Sequence, residues 1–272
     1  MAVPKIIHYC WFGGAPLPDS AIRCIASWNE YCPGYEIKEW NESNFDIKVC
    51  PYVKQAYEAK KWAFVSDYAR FWILYHYGGI YFDTDVEMVQ KTDDRIMDSC
   101  FMGKEAASRK YHNMSIDLLV NTGLGLSANP HMDILKEIME HYERTNFISE
   151  DGALNLTTVV ERVSMVLMRY GYKGNHEIER IKGMTIYPPE YFCPLNPDTG
   201  KLKVTANTIS VHHYSDSWHS SMERKAILLS RKFEDKGMYM YRIGRLVTLP
   251  IRIMAKIERL GIRGTLEFIK RR

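Results

Sequence analysis

Short apolar runs alternate with longer amphipathic stretches along this chain, and glycine or proline marks many of the junctions. Lys5–Phe12 reads as a first strand closed by Gly13-Gly14. Asp19 or Ser20 caps a helix expected to run through Trp28. Pro33-Gly34 marks a turn, and the alternation over 35–40 predicts a second strand. A helical pattern covers 52–77 with a break near 62–66, and Gly78-Gly79 ends it, since glycine readily takes the left-handed cap conformation. Ile80–Phe82 predicts the next strand, and 118–126 another, interrupted by Asn121-Thr122-Gly123. Helices are expected from Asn129-Pro130 to about Tyr142 and over 154–170, with short strands at 185–187 and 208–212. Strands alternating with helices predict an α/β domain.

Residues 78–87, Gly78-Gly79-Ile80-Tyr81-Phe82-Asp83-Thr84-Asp85-Val86-Glu87, concentrate the chemistry. Side chains at i and i+2 of an extended chain point the same way, so Asp83 and Asp85 are expected to face one small volume. Paired carboxylates at a strand end suit a hard divalent cation, which could hold the diphosphate of a sugar nucleotide. Chance and solvated turns also produce many Asp-x-Asp pairs.

Three further groups carry candidate chemistry. Asp67 and Arg70 fall at i and i+3 on the predicted helix and share a face. Together they suit the vicinal hydroxyls of a ribose or hexose, with an intrahelical salt bridge as the structural alternative. Phe64, Val65, Tyr68, Phe71, Trp72, Ile73 and Leu74 make that helix apolar nearly all round, so a charged pair within it needs a partner. Trp11, before two glycines, is placed to stack on a nucleobase or to fill the core. His212-His213-Tyr214-Ser215-Asp216-Ser217-Trp218 offers imidazoles for a metal and an indole N–H for a phosphate oxygen, or a plain surface turn. Asn121 is a candidate sugar contact, whereas Asp151 in the stretch 150–155 reads as a helix cap.

Composition narrows the class. At 46% hydrophobic and 25% charged residues, the 272-residue chain is typical of a soluble globular protein, and a net charge of +3 gives no reason to expect nucleic acid as a partner. Charge is unevenly spread. Residues 222–272 hold 14 Lys and Arg against 5 Asp and Glu, so a mildly acidic body carries a basic tail. Six cysteines without zinc-like spacing are expected to be reduced thiols. The first residues read as too short and polar for a signal peptide, and no run approaches the roughly 18–20 apolar residues of a membrane span. A cytoplasmic location is the expectation.

The strings Lys5-Ile6-Ile7-His8-Tyr9-Cys10-Trp11-Phe12-Gly13-Gly14, Ser66-Asp67-Tyr68-x-Arg70, Gly78-Gly79-Ile80-Tyr81-x-Asp83-x-Asp85-Val86 and His213 with Ser217-Trp218 occur in that order. They resemble the glycosyltransferases that contain an Asp-x-Asp motif and a sugar-binding region. That group includes yeast-type initiating mannosyltransferases, bacterial capsule and lipopolysaccharide transferases and, more distantly, the clostridial glucosylating toxins. The resemblance covers roughly residues 4–220. It implies a GT-A fold, a Rossmann-like mixed sheet flanked by helices, over 1–219, and the charge and helical pattern set residues 220–272 apart as a basic amphipathic tail.

The resemblance also implies retaining transfer of a hexose from a nucleotide-diphospho-sugar with Mn2+ or Mg2+. A UDP-sugar is favoured over GDP-mannose, and the acceptor is expected to be lipid-linked or a surface polysaccharide. Trp11 would stack on the base, and Asp67 and Arg70 would hold sugar hydroxyls. Asp83 would contact ribose and sugar, Asp85 and His213 would bind the metal, and Trp218 would bond the leaving phosphate. Asp83, Asp85 and Trp218 are thus the expected catalytic residues, with an internal-return route preferred and double displacement left open. Gly152-Ala153 departs from the Gly-Pro of many relatives. A non-catalytic sugar-nucleotide or glycan-binding module is the alternative reading.

On a helical projection of the tail, Arg242, Arg245, Arg252, Lys256, Arg259 and Arg263 share an arc beside Ile243, Leu246, Val247, Ile253, Met254, Ile257 and Leu260. This pattern suits peripheral contact with an anionic membrane surface, or a helix packed on the catalytic domain with solvated charges.

Overall fold

The computed structural model of the protein describes residues 2–91, 94–106, 114–197, 200–215, 229, 243–244, 246–251, 253–254 and 257. The chain divides into two compact units, one of residues 1–196 with 202–214 and one of residues 197–201 with 215–272.

The first unit is a mixed α/β structure built on strands β1 (Ile6–Cys10), β2 (Glu36–Trp40), β3 (Gly79–Tyr81), β4 (Val86–Met88), β5 (Phe101–Lys104), β6 (Val120–Ala128), β7 (Glu179–Ile181), β8 (Met184–Tyr187) and β9 (Ser210–His212). Its helices are α1 (Asp19–Tyr31), α2 (Pro51–Glu58), α3 (Trp62–Tyr77), α4 (Asp94–Met97), α5 (Asp133–Glu143), α6 (Val159–Arg169) and α7 (Pro189–Phe192). Seven strands form one sheet in the order β2-β1-β3-β6-β5-β8-β7, and β4 pairs with β9 in a two-stranded ribbon. β1 runs parallel to β2 and β3, whereas β6 is antiparallel to β3 and β5. This is the mixed, helix-flanked sheet expected from the sequence.

The central strands are buried on both faces, which explains why they read as apolar runs, whereas the edge strand β2 alternates. Ile80 and Phe82 join the core that contains Trp28, Val86 and Met88. Tyr81 points to the opposite core, formed by α2, α3, α5 and α6. A strand's period of two therefore decides which residues after β3 meet α3.

Two devices fix the start of β3. His8 is buried, accepts from Trp40 Nε1 at 3.0 Å and holds Gly78 O with Nε2 at 2.9 Å. Burial drives its pKa down to about 4, so the neutral ring ties β1 to the α3–β3 junction. Gly79 has φ +102°, and a Cβ there would stand 2.7 Å from Ile6 O and 2.9 Å from His8 Nε2. On the other core, Trp28 Nε1 donates to Val86 O at 2.8 Å and Met88 N donates to Ser27 Oγ at 2.9 Å. Helix α1 thus holds β4 by its backbone.

The predicted long helix breaks into α2 and α3 at 59–61, ahead of the expected 62–66, which is continuous helix within α3. Residues 120–128 form one strand, but Met102 pairs with Leu126 and Gly103 with Asn121, so 122–125 bulge out of the pairing with β5 where the sequence led one to expect an interruption. Helix α6 begins at Val159 rather than near 154, because Thr158 and Glu161 form a reciprocal capping box. Asp151 does not cap it. Its Oδ1 accepts from Ala153 N and Ser149 Oγ within a local turn. In the second unit, 243–244, 246–247, 249–251, 253–254 and 257 are helical. Among the described residues, no helix is long and apolar enough to cross a membrane.

Candidate functional site

The site forms at the carboxyl ends of the parallel strands β1 and β3, where open α/β sheets leave a crevice for ligands. Asp83 is two residues beyond Tyr81 and keeps to the α3 face. Tyr81 donates its hydroxyl to Asp83 Oδ1 at 3.0 Å. The chain then turns, with Val86 N donating to Asp83 O at 3.0 Å. This turn, rather than the expected strand alternation, brings Asp85 back toward Asp83.

Ribbon pairing completes the group. Val86 faces His212 in the β4–β9 register. His212 is buried, with Nε2 3.1 Å from Asp85 Oδ1 and 3.9 Å from Asp83 Oδ2. One ligand atom from each of Asp83, Asp85 and His212 lies within 4.8 Å of the others. Two carboxylates and one imidazole suit a first-row divalent ion such as Mn2+ better than an all-oxygen site would. His213, the histidine expected at the metal, turns its ring to Glu87 at 2.7 Å on the exposed side. Its backbone N–H donates to Asp85 O at 2.9 Å.

Arg70 organises the inner wall. Nη2 lies 2.9 Å from Asp67 Oδ1 and 3.2 Å from Asp83 Oδ1. Nε donates to Ser66 O, and Nη1 to Thr122 Oγ1 at 3.4 Å. At 3% side-chain exposure, against 12% for Asp67 and 29% for Asp83, the guanidinium presents little of itself to a ligand and instead aims two carboxylates.

Burial pushes Asp67 up to about 6, with the Arg70 charge opposing it. Burial acts the same way on Asp83, but Arg70 and then His212 outweigh it and hold the group below the ordinary carboxylate range. Burial disfavours the His212 imidazolium, yet Asp85 and Asp83 lift it to about 10. The cluster therefore demands positive charge, and the His212 proton supplies it. A divalent ion taking the place of that proton would bring three carboxylates and one guanidinium to neutrality.

Gly123 makes room for this arrangement. Its carbonyl accepts from Asp83 N at 3.0 Å. A Cβ on it would stand 2.0 Å from Asp83 Oδ2 and 3.1 Å from Asn121 Oδ1. Asn121 Oδ1 accepts from Gly123 N at 2.8 Å, which sets the expected sugar contact beside Asp83.

Trp11 directly follows β1 and is partly exposed, its indole N–H donating to Ala15 O at 2.6 Å. Trp218, expected at the leaving phosphate, lies outside the described residues. The geometry thus gathers Asp67, Arg70, Asp83, Asp85 and Asn121, and adds Tyr81, Gly123 and His212. Tyr81 was detectable from its i−2 spacing to Asp83.

Residues 18–102 match the family described as glycosyltransferase sugar-binding region containing DXD motif. Asp83-Thr84-Asp85 is the DXD of the matched region. Inositol phosphoceramide mannosyltransferase 3 of Schizosaccharomyces pombe (strain 972 / ATCC 24843) is 33% identical over 89 residues, 31% of this chain and 25% of that protein. The alignment thus spans about a quarter of the curated relative's length. Two solved structures are partly similar. The PaToxG glycosyltransferase gives a TM-score of 0.46 at 18% identity, over 62% of this chain and 69% of that one. A glycosyltransferase involved in the glycosylation of the major capsid of PBCV-1 gives 0.47 at 15% identity, over 79% and 95%.

The close approach at Gly123 generates a direct test. Gly123→Ala forces the Asp83 carboxylate out of its place. Its folded circular-dichroism spectrum is expected to persist, while the rise in melting temperature on adding Mn2+ is lost. An Mn2+ shift as large as the wild type's would show that Asp83 does not depend on that space.

Proposed function

We propose that the protein is a metal-dependent glycosyltransferase. It moves a hexose from a nucleotide-diphospho-sugar, with UDP-sugars favoured, to a lipid-linked or polysaccharide acceptor in surface-glycan synthesis. The observation that carries this reading is the Asp83–Asp85–His212 cluster beside the buried Asp67–Arg70 pair, with both aspartates of the cluster inside the matched region.

Asp83, Asp85 and His212 would hold the ion, and Asp83 would also serve the sugar. A bound Mn2+ or Mg2+ supplies positive charge to the departing diphosphate. Asp67, ionised above pH 6, accepts a sugar hydroxyl while Arg70 keeps its carboxylate in place. Trp11 stacks on the base and Trp218 donates to the leaving phosphate. Asp83 and Asp85 are engaged by Arg70, Tyr81 and His212, so neither is offered as a covalent nucleophile. This supports retention by internal return, with the acceptor hydroxyl attacking from the side the phosphate leaves.

The basic tail is the proposed contact with an anionic membrane on the cytoplasmic face. Its six arc cations lie outside the described residues, but the apolar Leu246, Val247 and Met254 beside them are exposed. An apolar stripe with flanking cations binds such surfaces by burial and attraction together.

Asp85→Asn is expected to lower metal-dependent transfer and sugar-nucleotide hydrolysis on the order of 100-fold or more, with the fold intact by circular dichroism. Wild-type rates in the variant would refute the site assignment. Donor binding without turnover in the wild type, across a donor panel with Mn2+, would favour the non-catalytic alternative. For the tail, Leu246→Glu with Met254→Glu is expected to abolish co-flotation with phosphatidylserine vesicles. Undiminished flotation would remove the membrane role.

A further inference from the structure

One carboxylate at the rim of the cluster has no part in the chemistry described so far. Glu105 directly follows β5, and its N–H donates to Leu119 O at 2.8 Å, extending the pairing with β6. Its Oε2 accepts from Asn121 Nδ2 at 3.3 Å. That contact fixes the amide's orientation, because Oδ1 is then the atom that accepts from Gly123 N at 2.8 Å. Asn121 Oδ1 and Asp83 Oδ2 both border the space left by the missing Gly123 side chain. The series Glu105–Asn121–Gly123–Asp83 therefore runs along adjacent strand ends into the cluster.

A second route joins Glu105 to the other side of the cluster. Ala106 N, the next amide, donates to Cys193 Sγ at 3.2 Å. Cys193 Sγ lies 2.9 Å from the Tyr214 hydroxyl, and the Tyr214 ring sits edge-on to His212 at 4.2 Å. Glu105 thus stands between the Asp83 arm and the His212 arm. It and Asn121 are both partly exposed.

The chemistry of this pair selects its ligand. An ionised carboxylate only accepts hydrogen bonds, and this one lies along the series that leads to Asp83. It disfavours an anion and favours a neutral hydroxyl, which can donate to it. Asn121 uses Nδ2 once and can donate again. A carboxylate beside an amide donor fits neighbouring hydroxyls of a sugar ring, one donating and one accepting.

We propose that Glu105 is a specificity-determining residue for the donor sugar. It accepts a hydroxyl of the hexose and orients Asn121 toward the neighbouring one. This rests on the glycosyltransferase reading above. The nucleotide and diphosphate make no use of Glu105, so its removal acts only on ligands that carry the sugar.

The test compares Glu105→Gln with the wild type by calorimetry in Mn2+, using UDP, UDP-glucose, UDP-galactose, GDP and GDP-mannose. Glutamine keeps the contact with Asn121 and removes the charge. The expected result is wild-type affinity for the bare nucleotide and about tenfold weaker binding of the matching nucleotide-sugar, the size of one charge-assisted hydrogen bond. Equal loss for nucleotide and nucleotide-sugar would make Glu105 a structural residue and overturn the proposal, as would unchanged binding of both. Failure of the wild type to bind any of the five would instead strike the glycosyltransferase reading, and this inference with it.

Discussion

The buried guanidinium of Arg70 is the constraint on which the site depends. A single cation, almost closed to solvent, bridges Asp67 on its own helix and Asp83 at the end of β3. Taking such a charge out of water is costly, and breaking a buried pair by removing one partner typically costs about 3–5 kcal/mol. Arg70 therefore cannot move without its carboxylates, nor they without it. Helix α3 and strand β3 are consecutive in sequence, and this ion triad turns that adjacency into a fixed geometry. The electrostatics follow from it. Arg70 holds Asp83 ionised despite burial, Asp83 and Asp85 hold His212 protonated, and the cluster is poised for a cation.

The surrounding fold serves that triad. His8 and the two glycines at 78–79 set where β3 begins. Trp28 and Ser27 fix the backbone of β4 from the other core, so the turn between Asp83 and Val86 is pinned at both ends. The ribbon β4–β9 delivers His212 from far along the chain. The site joins three segments whose relative positions are decided by packing on both faces of one sheet.

The sequence disclosed the parts close together in the chain. Asp67, Arg70, Asp83 and Asp85 lie within one helix and the turn after it, where spacing translates directly into geometry. Even there, the mechanism differed. Asp83 and Asp85 converge through a turn, because β3 ends at Tyr81 and β4 starts at Val86. The choice between His212 and His213 was not legible. His212 closes a three-residue strand and His213 follows it, so the choice rests on where the strand ends and on its pairing with β4, itself too short to read. Glu105 was hidden for a related reason. Its strand, Phe101-Met102-Gly103-Lys104, contains a glycine and a buried lysine that donates to Gly174 O, neither typical of an apolar run. Helix α6 was misjudged at its start because a capping box four residues later outcompeted the polar stretch at 150–155.

Asp83, Asp85 and His212 are together the proposed ligands of one divalent ion. Pulsed electron paramagnetic resonance of the Mn2+-loaded protein tests this assignment most directly. One bound Mn2+ per chain with a single directly coordinated histidine nitrogen is predicted, the coupling changing on 15N-histidine labelling and vanishing in His212→Ala but not in His213→Ala. A bound Mn2+ with oxygen ligands alone, or a nitrogen coupling lost with His213 instead, would contradict it.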